Sequence, residues 1–310
     1  MNRLWITGAA GIVGGCMLRQ AQASGRYDHI CAFTHTLPAG NLQEDASITW
    51  LPLDIGDRSA IQEYARQFPP SLIFNPAAMT QVDACETNQQ SAIRANTNGP
   101  RYLAEAARGA QAPLYHISTD YIFPGDDAYP GPYAEDAEPR AVSVYGQTKL
   151  DGERAITEIC ADTTPFAIVR TALVVGTGKR PNFINWIIQE LTAGRPIRIV
   201  NDQFNTPTLA DDVAAAVMWL AQQHKTGVYH IAGPDFLGRH EWAQQIIQRY
   251  QLDGSLITYV STSELRQPAQ RPKRGGLLTA RYNSEHTAHA PSVRGVAQAL
   301  REISWTPLAP

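Results

Sequence analysis

Tyr145 precedes Lys149 by four residues in the segment VYGQTKLDGE, which has the pattern of the first turns of a helix. Because an α-helix has about 3.6 residues per turn, positions four apart lie on one face, so the phenol and the ammonium can come close. A nearby cation favours the phenolate and would lower the pKa of Tyr145, which would make it a usable acid near neutral pH. Such pairs are also common on helix surfaces, so the rest of the chain must decide whether this pair is catalytic.

A second polar group, Ser118-Thr119-Asp120, follows the apolar run PLYHI about one loop before Tyr145. In isolation, such a triplet is typical of a turn or a helix cap. Its position predicts that Thr119 and Tyr145 meet over one substrate oxygen. His116 lies inside the same run, and His230 lies inside the run VYHIAG, so both are predicted to be packed.

Three glycines, Gly8, Gly11 and Gly14, lie between the apolar run RLWIT and a helical pattern. Glycine permits a tight turn there and lets backbone N–H groups at the helix N-terminus approach a pyrophosphate. The turn alone is weak evidence, but its place between the first strand and the first helix predicts a dinucleotide site. The spacing G-x-x-G-x-x-G differs from G-x-G-x-x-G and indicates a particular branch of dinucleotide enzymes.

The ends of the next strands bear on the cofactor. An acid after the second strand would bind the ribose 2′-hydroxyl and repel a 2′-phosphate, but the chain has Thr34 and His35 there. With neither an acid nor an arginine, the sequence favours NADPH, with NADH as the alternative. Asp54 either accepts from the adenine amino group or caps the next turn. Residues 75–78 either border the cofactor or form a turn enforced by Pro76.

All these residues follow apolar, β-branched runs that alternate with helical patterns. The runs are RLWIT, HICAF, ITWLPLD, SLIFNPA, PLYHISTD, FAIVRTALVV and VYHIAG. Apolar strands joined by crossover helices indicate an α/β fold, a doubly wound, Rossmann-like parallel sheet. Residues 1–172, rejoined by 208–233, are expected to form the dinucleotide-binding domain. Residues 173–207 and 234–310 are expected to form a smaller substrate-binding lobe over the carboxyl edge of the sheet.

Composition excludes several classes of protein. The 310 residues are 44% hydrophobic, and the start, MNRLWITGAAG, lacks a secretory pattern, so a cytoplasmic globular protein is expected. The four cysteines are too far apart to predict a disulfide framework or a zinc site, and no metal is expected. A net charge of −3 argues against nucleic acid or an anionic membrane as a partner.

Taken together, the motifs resemble the extended short-chain dehydrogenase/reductases and, more narrowly, the dTDP-4-dehydrorhamnose reductase family. The resemblance runs in order from residue 3 to about 233 and rests on TGAAGIVG, NPAAMTQVDACE, ANTNGP, STDYIFPG, PYAEDAEP, VYGQTKLDGE and VNDQFNTPT. It implies NAD(P)H-dependent reduction of the 4-keto group of a nucleotide-diphospho-6-deoxysugar, with a homodimer as a compatible assembly. The joint occurrence of these motifs favours Tyr145 and Lys149 as a catalytic pair.

The resemblance also implies roles for single residues. Thr119 would bind the carbonyl oxygen, Tyr145 would donate its proton, and Lys149 would lower the pKa of the tyrosine and hold the nicotinamide ribose. Together with Thr34 and His35, the cofactor-binding residues would be Gly8, Gly11, Ile12, Val13, Gly14, Asp54, Ile55, Ala77, Ala78, Tyr145 and Lys149. The substrate-binding residues would be Thr80, Val82, Thr119, Asp120, Tyr121, Leu173, Asn182 and Arg271.

Departures from the family pattern leave the substrate open. The family's strand-six segment usually reads Arg-Thr-Ser-Trp-Val-Tyr-Gly, and this chain has Leu173 in place of the tryptophan, which changes the pocket beside the sugar. A related sugar nucleotide is therefore an equal alternative to dTDP-4-dehydrorhamnose. The basic segment 266–276 is either a solvated loop or brings Arg271 or Arg274 to the substrate diphosphate. The remaining alternatives are an epimerase or dehydratase of the same superfamily and a non-catalytic NADP-binding regulatory subunit.

Overall fold

The computed structural model describes residues 1–37, 45–176, 182–285 and 289–302. Within these ranges, short strands alternate with helices over most of the chain. The strands are β1 Arg3–Ile6, β2 His29–Thr34, β3 Ile48–Pro52, β4 Leu72–Asn75, β5 Leu114–Thr119, β6 Phe166–Thr171, β7 Val174–Val175, β8 Ile197–Val200, β9 Phe204–Asn205, β10 Thr208–Leu209, β11 Gly227–His230, β12 Leu237–Gly238 and β13 Ile257–Val260.

The helices connect these strands, and a π-helical turn, Arg94–Asn98, joins two of them. They are α1 Ile12–Ser24, α2 Arg58–Gln67, α3 Val82–Thr87, α4 Gln89–Ile93, α5 Gly99–Ala110, α6 Val144–Cys160, α7 Phe183–Thr192, α8 Ala210–Gln222, α9 Arg239–Tyr250, α10 Thr262–Leu265, α11 Ala280–Ser284 and α12 Val296–Glu302.

Seven strands form one parallel sheet in the order β11-β6-β5-β4-β1-β2-β3. Every apolar run predicted as a strand contributes to this sheet, and the predicted α/β doubly wound fold is confirmed. The order reverses beside β1, because β2 lies on one side of it and β4 on the other. Open sheets of this kind bind ligands at the carboxyl ends of the strands next to such a reversal.

Both faces of the sheet are covered because its strands are apolar on both sides. Leu4 and Ile6 of β1 pack into one core with α1 and α8, whereas Trp5 points to the other face and packs with α5 and α6. This alternation follows from the period of two in a strand. Burial on both faces fixes the register of the central strands and so fixes the edge at which the polar residues emerge.

A separate core lies among α7, β8, α9 and α12. Its buried members include Ile187, Trp242 and Leu300. β11 returns the chain to the large sheet by pairing with β6. The two-domain division expected from the sequence stays a prediction, and the separate core supports it.

Within the described ranges, no helix is both long and apolar enough to cross a membrane. The same residues hold no cluster of three or more His, Cys, Asp or Glu side chains arranged to bind a metal ion. The four cysteines are buried free thiols.

Candidate active site

Helix α6 holds Tyr145 and Lys149 in the interior of the protein. It begins after Ser143, whose Oγ accepts a hydrogen bond from the Gly146 amide at 3.1 Å. Tyr145 is 8% exposed and Lys149 only 2%. The interpretation of this pair as a helix-surface pair is therefore wrong for this chain.

Two glycines allow α6 to approach its neighbours closely. A Cβ on Gly146 would lie 2.1 Å from the Tyr121 carbonyl oxygen, and one on Gly152 would lie 2.2 Å from the Asn96 carbonyl oxygen. Real Cβ contacts do not occur at such distances, so any side chain at either position would move the helix. Asn96 also clamps the loop before α3, because its side chain exchanges hydrogen bonds with the Met79 backbone at 2.8 and 3.0 Å.

Thr119 and Tyr145 meet at the carboxyl end of β5, as the sequence predicts. Thr119 lies near enough to the Tyr145 phenol to act on its pKa, and the ring of Tyr121 packs edge-on against Tyr145 with the centroids 5.5 Å apart. Burial raises the pKa of Tyr145 and outweighs the opposite effect of Thr119, while the nearby Asp120 raises it further. The phenol therefore keeps its proton at neutral pH.

Lys149 is a buried ammonium with two neutral partners. Its Nζ donates to the Ile117 carbonyl oxygen at 2.7 Å and lies 3.1 Å from His116 Nε2. Among the described residues it forms no ion pair with a carboxylate. Burial lowers the pKa of Lys149 to about 8, and the charge of Glu153 acts in the opposite direction.

The expectation that Lys149 lowers the pKa of Tyr145 stays a prediction. The ammonium is directed to β5, and the factors that act on the phenol are burial and its neighbours on β5, α3 and the turn after β5. The i, i+4 spacing correctly places both side chains on one helix face, but it does not decide where each polar end points.

His116 links Lys149 to the glycine-rich turn through buried side chains. Its Nδ1 lies 2.9 Å from the side-chain amide of Asn75, and the same amide accepts from Thr7 Oγ1 at 2.6 Å. Thr7, Asn75 and His116 are all fully buried, which confirms the prediction that His116 is packed. Burial, and then the charge of Lys149, lower the pKa of His116 well below its usual range, so the imidazole is neutral.

The glycine-rich turn fits a pyrophosphate. Gly8 has a left-handed φ of 56°, and a Cβ on Gly14 would lie 2.2 Å from the Gly8 carbonyl oxygen. Helix α1 begins directly after Gly11, with no side chain capping its N-terminus and no acid in its first turn. Ile12 and Val13, in that first turn, are partly buried. The uncapped N–H groups therefore remain available for an anion.

The structure places the other predicted cofactor residues in different surroundings. Thr34 is buried, and its hydroxyl donates to the Thr36 carbonyl oxygen at 3.0 Å, whereas His35 is exposed. Asp54 accepts from the Gly56 amide at 2.8 Å and pairs with Arg94 at 3.0 Å, so it does cap the next turn.

Ile55, next to Asp54, is 7% exposed and belongs to the core that includes α5 and α6. Ala77 and Ala78 are partly buried next to the turn, and a Cβ on Gly8 would lie 3.0 Å from Ala77 Cα. Thr80 is exposed, and Val82 packs with Tyr145.

Asp120 joins the turn after β5 to the segments that the sequence predicts as the second lobe. Its Oδ2 accepts hydrogen bonds from Asn205 Nδ2 at 2.8 Å and from the Gly276 amide at 3.2 Å, and its Oδ1 accepts from the Thr119 hydroxyl at 3.4 Å. Burial raises the pKa of Asp120 despite these hydrogen bonds. The residue after Thr119 thus fixes two segments of the predicted lobe beside the hydroxyls of Thr119 and Tyr145.

Leu173 and Asn182 lie at the beginning of this lobe. Leu173 has a left-handed φ of 42°, which is uncommon for a residue with a side chain, and it packs against the core that contains α7. Asn182 caps α7 by accepting from the Ile184 and Asn185 amides. Both positions were predicted to contact substrate, and both have structural roles that the sequence did not reveal.

Arg271 and Arg274 differ in how their charges are compensated. Arg271 forms a two-pronged ion pair with Asp83 at 2.7 and 3.0 Å, and this hydrogen bonding lowers the pKa of Asp83. The guanidinium of Arg274 lies over the rings of Phe204 and Phe236, 5.3 and 5.6 Å from their centroids. The charge of Arg271 is therefore already neutralised inside the protein.

Arg239 is the arginine that sequence reasoning missed. Its guanidinium lies over the ring of Phe183 at 5.2 Å and is close enough to Tyr121 to act on its pKa. Among the described residues it forms no ion pair, and burial lowers its pKa. No local motif marks this residue, because only the packing of α9 against the turn after β5 brings it near Tyr121 and hence near Tyr145.

Comparison with known proteins gives concordant results. The family model described as RmlD substrate binding domain matches residues 1–304. The probable low-salt glycan biosynthesis reductase Agl14 of Haloferax volcanii is 29% identical over 303 residues, 96% of each chain. The dTDP-4-dehydrorhamnose reductase of Mycobacterium tuberculosis is 32% identical over 285 residues, 91% of this chain and 86% of its own. The crystal structure of dTDP-4-dehydrorhamnose reductase from Bacillus anthracis, in complex with NADP, is similar with a TM-score of 0.82 at 26% identity and covers 97% of this chain and 98% of its own.

Proposed function

Because the chain belongs to the RmlD substrate binding domain family, we propose that it reduces the 4-keto group of a nucleotide-diphospho-6-deoxysugar, with dTDP-4-dehydrorhamnose as the first candidate. The resemblance drawn from its motifs is confirmed, and the protein is an oxidoreductase. The exact sugar and nucleotide are part of the proposal. One relative is named as a glycan biosynthesis reductase, and another, from Streptomyces antibioticus, as a probable 4-ketoreductase of a different dTDP sugar.

The observation that carries the proposal is the proximity of the buried hydroxyls of Thr119 and Tyr145 at the carboxyl edge of the sheet. Reduction of a ketone places negative charge on its oxygen, so the site needs donors at that point. The Tyr145 phenol, protonated at neutral pH, would give its proton to the oxygen, and the Thr119 hydroxyl would donate a second hydrogen bond. Lys149, one turn after Tyr145 on α6, would place positive charge near the two hydroxyls.

The glycine-rich turn is the proposed site of the nicotinamide cofactor's pyrophosphate, since its uncapped N–H groups and absent Cβ atoms fit one. A bound nicotinamide would supply the hydride. We propose a preference for NADPH, because Thr34, His35, Thr36 and Leu37 place no carboxylate after β2 to repel a 2′-phosphate.

Arg239 supports an anionic substrate. A guanidinium that is partly buried and lacks a counter-ion is costly unless an anion completes the site. Its partner Tyr121 packs against Tyr145, so an anion at Arg239 would lie close to the reacting group. A substrate diphosphate has this charge and can pair bidentately with the guanidinium. Arg239 thus replaces Arg271 as the expected phosphate contact, since Arg271 is neutralised by Asp83.

Asp120 favours a reductase over a dehydratase that would use the same residue as an acid. Its Oδ2 is already engaged by Asn205 and Gly276, and its Oδ1 faces Thr119. These contacts give the carboxyl group a fixed structural task.

The direct test is oxidation of NADPH and NADH, followed by absorbance, with dTDP-4-dehydrorhamnose formed in the assay and the sugar product identified. We expect turnover with NADPH, with a higher kcat/KM than with NADH. A protein that binds the cofactor but oxidises it with none of the keto sugar nucleotides tested would contradict the proposal and favour a regulatory subunit.

Tyr145→Phe removes only the proton donor. We expect it to bind NADPH with unchanged affinity and to lose at least about 100-fold in kcat. Tyr102→Phe, a partly exposed control on α5, should keep the wild-type rate. A kcat for Tyr145→Phe near that of the wild type would show that another group donates the proton.

A further inference from the structure

His116 is a buried titratable residue that the proposed reaction does not use. It supplies the only side-chain contact to Lys149 Nζ among the described residues, and the second contact is the Ile117 carbonyl oxygen. We propose that His116 is a positioning residue that holds the Lys149 ammonium by accepting an Nζ–H hydrogen bond at Nε2, and that Asn75 and Thr7 fix the imidazole for this task.

The number of protons on His116 and Lys149 shows why Asn75 and Thr7 are also needed. His116 is neutral, so one ring nitrogen carries a proton and the other has a lone pair. An ammonium has only N–H donors, so Nε2 must be the acceptor and Nδ1 must carry the proton. Nδ1–H then requires an acceptor. The structure places Asn75 Nδ2 2.9 Å from Nδ1, so the amide must be turned by 180° for its oxygen to accept from His116. The turned amide nitrogen would donate to Thr7 Oγ1, in place of the bond from Thr7 Oγ1 to Asn75 Oδ1 at 2.6 Å.

The orientation of the amide in the structure, with Nδ2 toward His116 and Oδ1 toward Thr7, also makes a consistent network. If the Asn75 nitrogen donates to Nδ1, the ring proton lies on Nε2 and donates to Lys149, which must then be a neutral amine. The two arrangements therefore differ in the charge of Lys149. This is the reason that we assign His116 an influence on the protonation of the lysine as well as on its position.

The effect of His116 on the pKa of Lys149 has a definite direction, because His116 contacts the charged form of the lysine. Accepting a hydrogen bond from the ammonium favours the charged form, so loss of the acceptor lowers the pKa of Lys149. The other ionisable group that acts on Nζ is Glu153, one turn along α6, and it is unchanged in a His116 variant. Tyr145 lies one turn earlier on the same helix and stays protonated over the relevant pH range.

The sequence makes a direct measurement practical. The chain has four lysines, Lys149, Lys179, Lys225 and Lys273, so protein labelled with ¹³C at lysine Cε gives a simple NMR spectrum. Lys149→Arg identifies the Lys149 signal, which is then titrated in the full-length protein without substrate. We expect a midpoint of about 8 in the wild type. His116→Phe should lower it by about one pH unit.

Two further variants separate a specific contact from general damage. His116→Gln can place an amide oxygen near the position of Nε2 and should restore the wild-type midpoint. His230→Phe removes another fully buried histidine, beside Arg170, and should leave the Lys149 midpoint unchanged. If His116→Phe does not fold, His116→Asn replaces it, because its shorter amide reaches toward Asn75 but not toward Nζ.

An unchanged midpoint in His116→Phe or His116→Asn would overturn the proposal, as would an equal shift in His116→Gln. The readout involves neither substrate nor turnover. Its failure is therefore distinguishable from a failure of the proposed reductase function.

Discussion

Two buried cations, Lys149 and Arg170, lie in similar surroundings and differ in one respect. Each contacts a neutral, buried histidine: His116 Nε2 lies 3.1 Å from Lys149 Nζ, and His230 Nε2 lies 3.4 Å from an Arg170 guanidinium nitrogen. Arg170 also forms an ion pair with Glu153 at 2.8 Å, in which both side chains are less than 10% exposed. Lys149 has no such partner among the described residues.

This difference indicates a structural role for the charge of Arg170 and a role in the reaction for the charge of Lys149. Arginine stays protonated, and Glu153 neutralises it, so the Arg170 cluster can do no more than hold β6 against α6. Lys149 can lose its proton, because burial lowers its pKa to about 8. A buried group with a strongly shifted pKa is characteristic of a functional site. The comparison shows that the presence or absence of a counter-ion should be considered together with the pKa.

The largest expected effect is on activity. Lys149→Met replaces the ammonium with an apolar side chain of similar length, and we expect kcat to fall by at least about 100-fold because positive charge beneath Tyr145 is lost. Stopped-flow measurement of NADPH oxidation would check this. If Lys149→Met keeps most of the wild-type kcat, the two cations are both structural and the comparison fails.

Glu153→Gln should instead damage stability. It leaves the Arg170 guanidinium buried without a counter-ion, which costs about 3 kcal/mol in the free energy of unfolding. Urea denaturation at pH 7 would measure this cost. The control is Asp151→Asn on the same helix, whose partner Arg154 is exposed, and its cost should stay below about 1 kcal/mol. Equal costs for the two variants would contradict the assignment of Glu153 as a buried counter-ion.

The two cations should also differ in their effect on stability as pH changes. The pKa of Lys149 is about 8 in the folded protein, against an ordinary lysine value of 10.5 in the unfolded chain, so the unfolded chain binds more protons between these values. The free energy of unfolding therefore gains a contribution as pH rises from about 8 to 10.5, and this contribution is lost as pH falls through 8. It amounts to roughly 3 kcal/mol.

Lys149→Met has no buried ammonium, whose desolvation costs the wild type stability at pH 7, so it should be more stable than the wild type at that pH. The difference should shrink as the pH approaches 10. Urea denaturation of both proteins across this range would measure it. A difference that stays constant with pH would show that Lys149 is not a buried cation with a lowered pKa.

The smallest expected effect concerns Arg271. Because Asp83 already neutralises it, Arg271→Gln should change the KM for the sugar nucleotide less than about twofold and cost about 1 kcal/mol in unfolding free energy. Arg239→Gln should raise that KM by at least about tenfold, because an unneutralised guanidinium is lost. Steady-state kinetics of the two variants would check this. A reversed ranking would return the diphosphate contact to Arg271.

The sequence was sufficient for the sheet and for the positions of Thr119 and Tyr145, for different physical reasons. The strands of the sheet are short, mostly apolar runs, so all seven could be identified locally. The positions of Thr119 and Tyr145 follow from where β5 ends and α6 begins. The glycine-rich turn could be found because only glycine allows the Gly8 and Gly14 backbones to approach so closely.

The sequence could not predict how polar groups are partnered. Asp83 and Arg271 are 188 residues apart, and Asn205 reaches Asp120 across 85 residues. His116 could be predicted as buried, but its contact with Lys149 depends on the separation between β5 and α6. Arg239 has no motif at all. These are tertiary contacts, and local patterns carry no information about them.

Helix engineering would meet an unusual constraint in α6. Replacing a mid-helix glycine with alanine is a standard way to stabilise a helix, with a gain of up to about 1 kcal/mol. In α6 the same change at Gly146 or Gly152 would push the helix away from the Tyr121 or Asn96 carbonyl oxygen, and Tyr145 and Lys149 would move with it. Libraries that select for thermal stability should therefore keep both positions as glycine. The two glycines determine how closely α6 packs against the Tyr121 and Asn96 backbone.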